Sequence, residues 1–404
     1  MPPRHLYIHV PFCARRCSYC DFSIAVRSQT PVDEYIGALR SELALSAIDG
    51  AVLDTVYLGG GTPSRLGGPG IAAVIGAVRE RASISPDAEL TIEANPDDVN
   101  DVGVARWAAA GVNRISLGAQ SFDASVLRWM HRTHDAEQIG QAVRTIRRGG
   151  IENISLDLIF ALPAHLGRVW EKDLERAIAM SPSHLSLYGL TVEEHTPIAR
   201  WADRGAIVEG SETQYEEEFL YADETMTSAG FEHYEVSNFS LPGRRSRHNS
   251  AYWTGAAYAG VGPSAHSFDG SVRRWNVAAY SEWVTRLANG VSVTAGEESL
   301  SEENRSAESI YLGLRTTSGI EIAGPEEELV ARWEVAGWAE CGEREEGSGK
   351  REARGTASLQ QYDALRADRS ARIAHLRLTP SGWLRLDSIV VSLAASRGRG
   401  PVSP

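Results

Sequence analysis

Cysteine is scarce in this chain, with four residues among 404, too few for a disulfide framework. Positive charge is not in excess either. The 40 basic residues face 53 acidic ones for a formal net charge of -13, so the basic footprint of a nucleic-acid binder is missing. No apolar run reaches the ~20 residues that a bilayer crossing requires. The opening Met1-Pro2-Pro3-Arg4-His5 carries no signal-peptide core. Together these absences lead us to expect a soluble, cytoplasmic protein without a transmembrane segment and without a nucleic-acid partner. What is present is ordinary globular composition, 43% hydrophobic and 23% charged, which excludes a disordered or fibrous chain. A chain of this length buries about three-quarters of its unfolded surface and makes two or three domains, or one barrel with an appendage.

The first half repeats one unit. Short β-branched or alternating runs fall at 6–10, 55–58, 90–94, 114–117, 154–160 and 184–190. Stretches of helical spacing follow them at 32–48, 71–81, 102–110, 136–148 and 169–180. Strand alternating with helix predicts a parallel sheet with crossover helices. A closed eight-unit barrel needs about 250 residues. The repeats match its spacing but stop at six, so the α/β fold expected is a partial, TIM-type (β/α)6 barrel. Beyond residue 190 the pattern predicts a helix over 212–228, a strand over 231–238 and a bend at Pro242-Gly243-Arg244-Arg245. Small residues dominate 255–270, where backbone must come close to backbone or ligand. From residue 301 on, helices are expected over 302–315 and 326–338, and a charged surface loop over 342–355. A short strand at 376–378 and a last helix to about residue 395 complete the chain. This arrangement resembles a winged helix. The expected domains are a barrel over 1–200, an extension over 201–300 and a mainly helical, winged-helix-like domain over 301–404.

Three of the four cysteines, Cys13, Cys17 and Cys20, crowd into the loop after the first strand. In a barrel this is one of the loops that build the active face. Three thiolates within eight residues can close around one metal centre, and Arg15 and Arg16 between them are expected to depress the thiol pKa values. An iron–sulfur cube on three cysteines leaves one iron open for a ligand. The alternative is a zinc knuckle completed by His9 or a distant histidine. Gly59-Gly60-Gly61-Thr62-Pro63 follows the second strand and bares backbone groups on the same face. Glu93 ends the third strand, Gln120 follows the fourth, and Asp157 sits inside an otherwise apolar fifth. A carboxylate there is either functional or salt-bridged to Arg114 or Arg132. Cys341 matches no motif and reads as a structural thiol.

The run Tyr7-Ile8-His9-Val10-Pro11-Phe12-Cys13 with its three-cysteine loop resembles the radical S-adenosylmethionine proteins, and within them the oxygen-independent coproporphyrinogen III oxidase group. The likeness continues through 59–63, 113–122, 186–190, 260–267 and 312–316, nearly the whole chain. It implies a [4Fe-4S] cluster on Cys13, Cys17 and Cys20, whose free iron chelates S-adenosylmethionine. One-electron reduction then cleaves the sulfonium to a 5′-deoxyadenosyl radical. By positional match, Tyr7, Gly60, Glu93 and His266 line the first nucleoside site. Tyr19, Gly61, Thr62, Gln120, Arg132, Asp157 and Thr191 contact that ligand or a second copy.

Two features separate the chain from the oxidases themselves. Phe22 stands where they carry a further cysteine, and barely five residues precede the first strand. His248-Asn249-Ser250-Ala251-Tyr252-Trp253 instead resembles the signature of the haem chaperones of this group. An imidazole beside Tyr and Trp suits a porphyrin and its iron; the alternative is a hydrogen-bonded turn residue. The resemblance thus implies a binding and transfer protein with haem as cargo, acceptor haem proteins as partners and a flavodoxin- or ferredoxin-like reductant. It leaves room for a homodimer. The competing reading is oxidative decarboxylation of coproporphyrinogen III. Arg244, Arg245, Arg247, Arg273 and Arg274 are candidate clamps for propionates in either case. Where the group has Gly-Leu-Pro-Gly-Gln, this chain has Ala161-Leu162-Pro163-Ala164-His165, which adds Cβ atoms to the pocket floor.

Overall fold

The computed structural model describes residues 2–322, 326–342 and 374–397. The expected loop at 342–355 lies, beyond Gly342, outside the described residues. Two compact units divide the chain. The first comprises Met1–Glu232, Ser237–Tyr252 and Ala256–Ser299; the second takes His233–Val236, Trp253–Gly255 and Leu300–Pro404.

The first unit is the six-stranded parallel barrel segment that the repeats predict. Its strands are β1 (His5–Val10), β2 (Val52–Gly60), β3 (Ser83–Ala94), β4 (Arg114–Gln120), β5 (Asn153–Phe160) and β6 (His184–Gly189), hydrogen-bonded in that order. The edges are extended by β7 (Asn238–Ser240), antiparallel to β6, and β8 (Ala259–Val261), parallel to β1. Alternation along each strand explains the layering. Leu6, Ile8 and Val10, Val56 and Leu58, Ile115 and Leu117, and Ile154, Leu156 and Leu158 are fully buried or nearly so. The intervening positions are polar and bond from strand to strand. His5 meets Thr55 at 3.0 Å, Tyr57 donates to Glu93 at 2.8 Å, Ser116 donates to Asp157 at 3.0 Å, and Ser155 meets His184 at 2.8 Å. The open barrel therefore has an apolar sheet–helix layer outside and a polar lining inside.

Helix ends follow local chemistry. Helix α1 (Val32–Leu43) stops short of the predicted residue 48. The Ser46 hydroxyl takes the Leu43 carbonyl at 2.8 Å, and Leu45 N–H turns to Glu42 O, so side chain and tightened turn replace the helical ladder. Helix α2 (Asp101–Ala110) starts on an Asn100 cap and ends on left-handed Gly111, while α3 (Ala136–Arg148) carries a capping box between Asp135 and Gln138. The strand expected over 231–238 is instead two short pieces, Glu232–Glu235 and Asn238–Ser240. The region read only as rich in small residues, 255–270, holds the first strand of a three-stranded antiparallel sheet, His266–Phe268, Val272–Asn276 and Thr294–Ser299. Its first turn is Asp269-Gly270, with Asp269 Oδ1 accepting from Ser271 and Val272 N–H and Gly270 at φ +99°.

In the second unit, strands Ile320–Ile322 and Ala339–Gly342 flank Ala374–Leu378 in an antiparallel sheet. Its described helices are Glu302–Leu314, Glu327–Val335, the short Pro380–Trp383 and Leu386–Ser396. Trp383 fixes the first of them through its indole N–H on Leu314 O at 2.9 Å. No helix among the described residues is long and apolar enough to cross a membrane.

Candidate functional site

The cysteine loop leaves the C-terminal end of β1, where Phe12–Cys13 forms a short parallel bridge to Ala25–Val26. Cys13 Sγ lies 3.4 Å from the Thr62 hydroxyl, Cys17 Sγ lies 3.5 Å from Arg132 Nη1, and Cys20 N–H donates to Cys17 O at 3.4 Å. Burial pushes the Cys20 thiol up to about 12 and also raises Cys13. This corrects the expectation that Arg15 and Arg16 depress the thiols. Arg16 does pull Cys20 downward, but desolvation outweighs it.

The donor set suits an iron–sulfur cube. Three soft thiols share one loop, and Arg132 Nε is buried without a hydrogen-bond partner beside them. Among the described residues no three His, Cys, Asp or Glu side chains converge on a single-ion point. A cube places each thiolate on a separate iron and needs no such convergence. The zinc alternative loses His9 as its fourth ligand, because that ring spends Nδ1 on the Tyr7 hydroxyl at 3.1 Å and Nε2 on Ser23 O at 3.0 Å.

Beside the loop, the glycine turn is a cradle with no room for side chains. Gly60 has φ +106°, and a Cβ there would stand 2.5 Å from the His9 ring. A Cβ on Gly61 would stand 2.6 Å from the Pro11 carbonyl carbon, while Gly61 N–H donates to Val10 O at 2.8 Å. Glu93 accepts from Gly60 N–H at 3.0 Å and from the Tyr57 hydroxyl at 2.8 Å, and burial lifts its pKa to about 7. Tyr7 stacks on Tyr57 at 6.1 Å. Arg132 reaches Asn95 Oδ1 at 2.6 Å and Gly118 O at 2.8 Å, joining the ends of β3 and β4 to the cysteine loop.

Asp157 accepts from Ser116 and Ser155, and burial raises its pKa. Neither arginine expected as its salt-bridge partner is paired with it among the described residues. Arg132 is engaged above, and Arg114, 1% exposed, keeps Nε and Nη1 without hydrogen-bond partners inside the barrel. Tyr19 packs on Val126, Met130, Ile159 and Leu162. Gln120 closes β4 in the left-handed region at φ +66°. His266 is exposed and stacks on Trp275 at 6.0 Å, whereas Thr191 is exposed in the loop after β6.

His248 lies one ring behind the Glu93 carboxylate, on the far side of Tyr57. It is 1% exposed on helix Arg247–Trp253, whose first N–H groups are held by Glu89 at 3.0 Å. Its Nδ1 meets Thr55 Oγ1 at 2.7 Å, its Nε2 meets the Tyr252 hydroxyl at 2.8 Å, and its ring stacks on Tyr57. Thr55 is five residues before Gly60 on β2, about 16 Å along the strand from the glycine cradle. Both nitrogens are engaged in this structure, and burial lowers the pKa to about 3. Several of the expected propionate clamps are also engaged: Arg274 with Asp269 and Glu297, Arg245 with Glu232, and Arg273 with Glu298 at 3.9 Å.

Sequence reasoning missed the residues that hold these groups: Tyr57, Asn95, and Ser116 with Ser155 under Asp157. It also missed Glu42, which accepts from Gly262 N–H at 2.7 Å, Trp283 Nε1 at 2.9 Å and Asn276 at 2.6 Å, pinning the 260–264 turn over β1. A readable signal existed in the polar residues at every second position of the strands.

Three thiols on the first strand-end loop of a parallel barrel, beside a glycine cradle and a buried carboxylate, define a radical S-adenosylmethionine protein. Residues 7–176 match the Radical SAM superfamily. The haem chaperone HemW of Lactococcus lactis is 35% identical over 79% of this chain and 83% of its own. That of a Synechocystis species is 38% identical over 79% of each, and that of Escherichia coli 36% identical over 66% and 70%. The solved coproporphyrinogen III oxidase (HemN) of Escherichia coli shares the fold, with a TM-score of 0.73 at 21% identity over 97% of this chain and 90% of that one. The chain belongs to the HemW family.

Proposed function

We propose that this chain is a haem chaperone that binds haem and passes it to acceptor haem proteins, carrying a [4Fe-4S] cluster and S-adenosylmethionine. Membership of the HemW family is the observation that carries the reading. Cys13, Cys17 and Cys20 would hold the cluster, which when bound supplies an open iron for the nucleoside and a one-electron path to its sulfonium. The residues around it act by shape and charge. Gly60 and Gly61 leave the floor open, Glu93 offers a carboxylate beside Tyr7, and Arg132 ties Asn95 and Gly118 to the Cys17 thiol. Thr62 meets the Cys13 sulfur, and Asp157, Gln120, Tyr19, Thr191 and His266 would supply further contacts to the nucleoside. The electron donor would be a flavodoxin- or ferredoxin-like protein, and the setting cytoplasmic.

The test is a pair of assays on the anaerobically reconstituted chain. Haem should bind with a distinct Soret band and leave for an added apo-haem protein. Coproporphyrinogen III with S-adenosylmethionine and reductant should give no protoporphyrinogen. Turnover of the porphyrinogen would replace this reading with that of an oxidase, and absence of haem binding would remove it.

A further inference from the structure

Two features of the cysteine loop have no use at the nucleoside site: the ring of Phe22, and the arginines whose pull on the thiols burial outweighs. Phe22 is 57% exposed and Val26 46% exposed, and each sits directly on one of the three cysteines. Phe22 N–H donates to Cys20 Sγ, and Val26 pairs with Cys13 in the short bridge. The backbone between them is pinned. Ser23 O takes the His9 ring at 3.0 Å, and the Ser23 hydroxyl donates to Ala278 O at 2.8 Å. The fold itself, rather than a frayed end, holds the phenyl ring in solvent.

Charge singles out the same face. Residues 12–28 carry Arg15, Arg16 and Arg27 against Asp21 alone, in a chain of net charge -13. Arg65 adjoins them, donating to Arg27 O at 3.2 Å. Arg128 lies two residues before Met130, whose carbonyl takes the N–H of loop residue Ser18 at 3.2 Å. Arg15, Arg27 and Arg128 are exposed, and among the described residues none of the three is in an ion pair.

An apolar centre inside a collar of guanidinium groups has the composition of a protein-binding patch, and its charge selects an acidic partner. Its position selects what that partner does. Electron transfer slows steeply with distance, and this surface lies directly on the sulfurs of Cys20 and Cys13.

We propose that the Phe22–Val26 face is where a small, acidic one-electron carrier protein docks to reduce the cluster. The carrier's reduced cofactor loses one electron and the cluster gains it, with no bond made or broken. The proposal rests on the reductant named in the haem-chaperone reading and gives it a surface. Its test uses the full, cluster-loaded chain, an acidic flavodoxin as probe and photoreduced deazariboflavin as a small neutral reductant. Stopped-flow bleaching of the cluster absorption gives the reduction rate, and titration at several salt concentrations gives flavodoxin affinity. Arg15→Glu combined with Arg27→Glu should slow reduction by flavodoxin about tenfold or more, weaken its binding and flatten the salt dependence. Phe22→Ala keeps the N–H bond to Cys20, and should weaken binding several-fold without changing the salt slope. Deazariboflavin should reduce wild type and variants at one rate. A slowing shared by both reductants would place these residues in the cluster site and overturn the docking face. Flavodoxin rates equal in wild type and variants overturn the face and leave the reductant reading standing. A wild-type cluster reduced by deazariboflavin but not by flavodoxin overturns both, without touching haem binding. Variants that change only the sedimentation of the chain alone give the face to a second copy and overturn the proposal.

Discussion

Nδ1 of His248 lies 2.7 Å from the hydroxyl of Thr55, so the imidazole joins helix Arg247–Trp253 to the second barrel strand. With Tyr252 on its other nitrogen, the ring is a neutral link inside the polar barrel lining. Burial brings its pKa to about 3, against about 6.5 in the unfolded chain. For a depressed histidine, the stability it contributes is present above the unfolded value and is lost as pH falls toward the folded one. His248→Gln should therefore destabilise the protein near pH 7, and the gap to wild type should narrow by about 2 kcal/mol at pH 5. Urea unfolding at the two values measures this. A gap that widens on acidification would mean that the ring is protonated in the fold.

The glycine cradle gives a prediction in which backbone and packing act together. Gly60 combines φ +106° with a would-be Cβ contact of 2.5 Å to His9, whose ring is itself held by Tyr7 and Ser23. Gly60→Ala should cost about 1–3 kcal/mol from the backbone conformation alone, plus displacement of the His9 ring. Gly37→Ala, at a helical site with nothing within 4 Å of the new methyl group, should be neutral or mildly stabilising. Equal melting temperatures for the two variants would contradict the cradle geometry.

The barrel was legible because β-branched and aliphatic strands recur at barrel spacing between amphipathic helices, and that rhythm is local. The cysteine loop and the Gly59–Gly61 run were legible because they are contiguous. Less legible were groups that exist only across strands. Nothing local to Glu93 announces Tyr57, and nothing beside Asp157 announces Ser116. His248 shows the same limit: nothing in its sequence neighbours announces Thr55 or Glu89, which hold it from far away in the chain. The antiparallel sheet over 266–299 was overlooked although Asp269-Gly270 is a hairpin signal, because its short strands carry Arg273, Arg274, Glu297 and Glu298 and show no alternation of buried and exposed positions.

The thiols carry a test of the metal. In the folded chain Cys13 and Cys20 are held protonated by burial, so loading must expel protons as the sulfurs become ligands. Anaerobic reconstitution should give about four irons and four sulfides per chain, with acid released into weakly buffered solution. Cys17→Ala should lose the broad visible absorption. Zinc retained at one equivalent, with no iron taken up, would overturn the cluster.

Glu93 gives a pH prediction for the nucleoside. Burial raises its carboxyl to about 7, Asp157 pushes in the same direction, and the buried Arg114 pulls it down. A sulfonium ligand is cationic, so the carboxylate should favour it only once ionised, and affinity for S-adenosylmethionine should rise with pH through about 7. Glu93→Gln removes that rise and keeps whatever dependence the ligand's own amino group brings, so the difference between the two profiles isolates Glu93. Arg114→Met should move the midpoint upward, because it removes a cation that favours the ionised form of both Glu93 and Asp157. Isothermal titration at several pH values resolves the three proteins. If wild type and Glu93→Gln run parallel, Glu93 does not face the bound nucleoside, and its role reduces to holding Gly60 and Tyr57 in place.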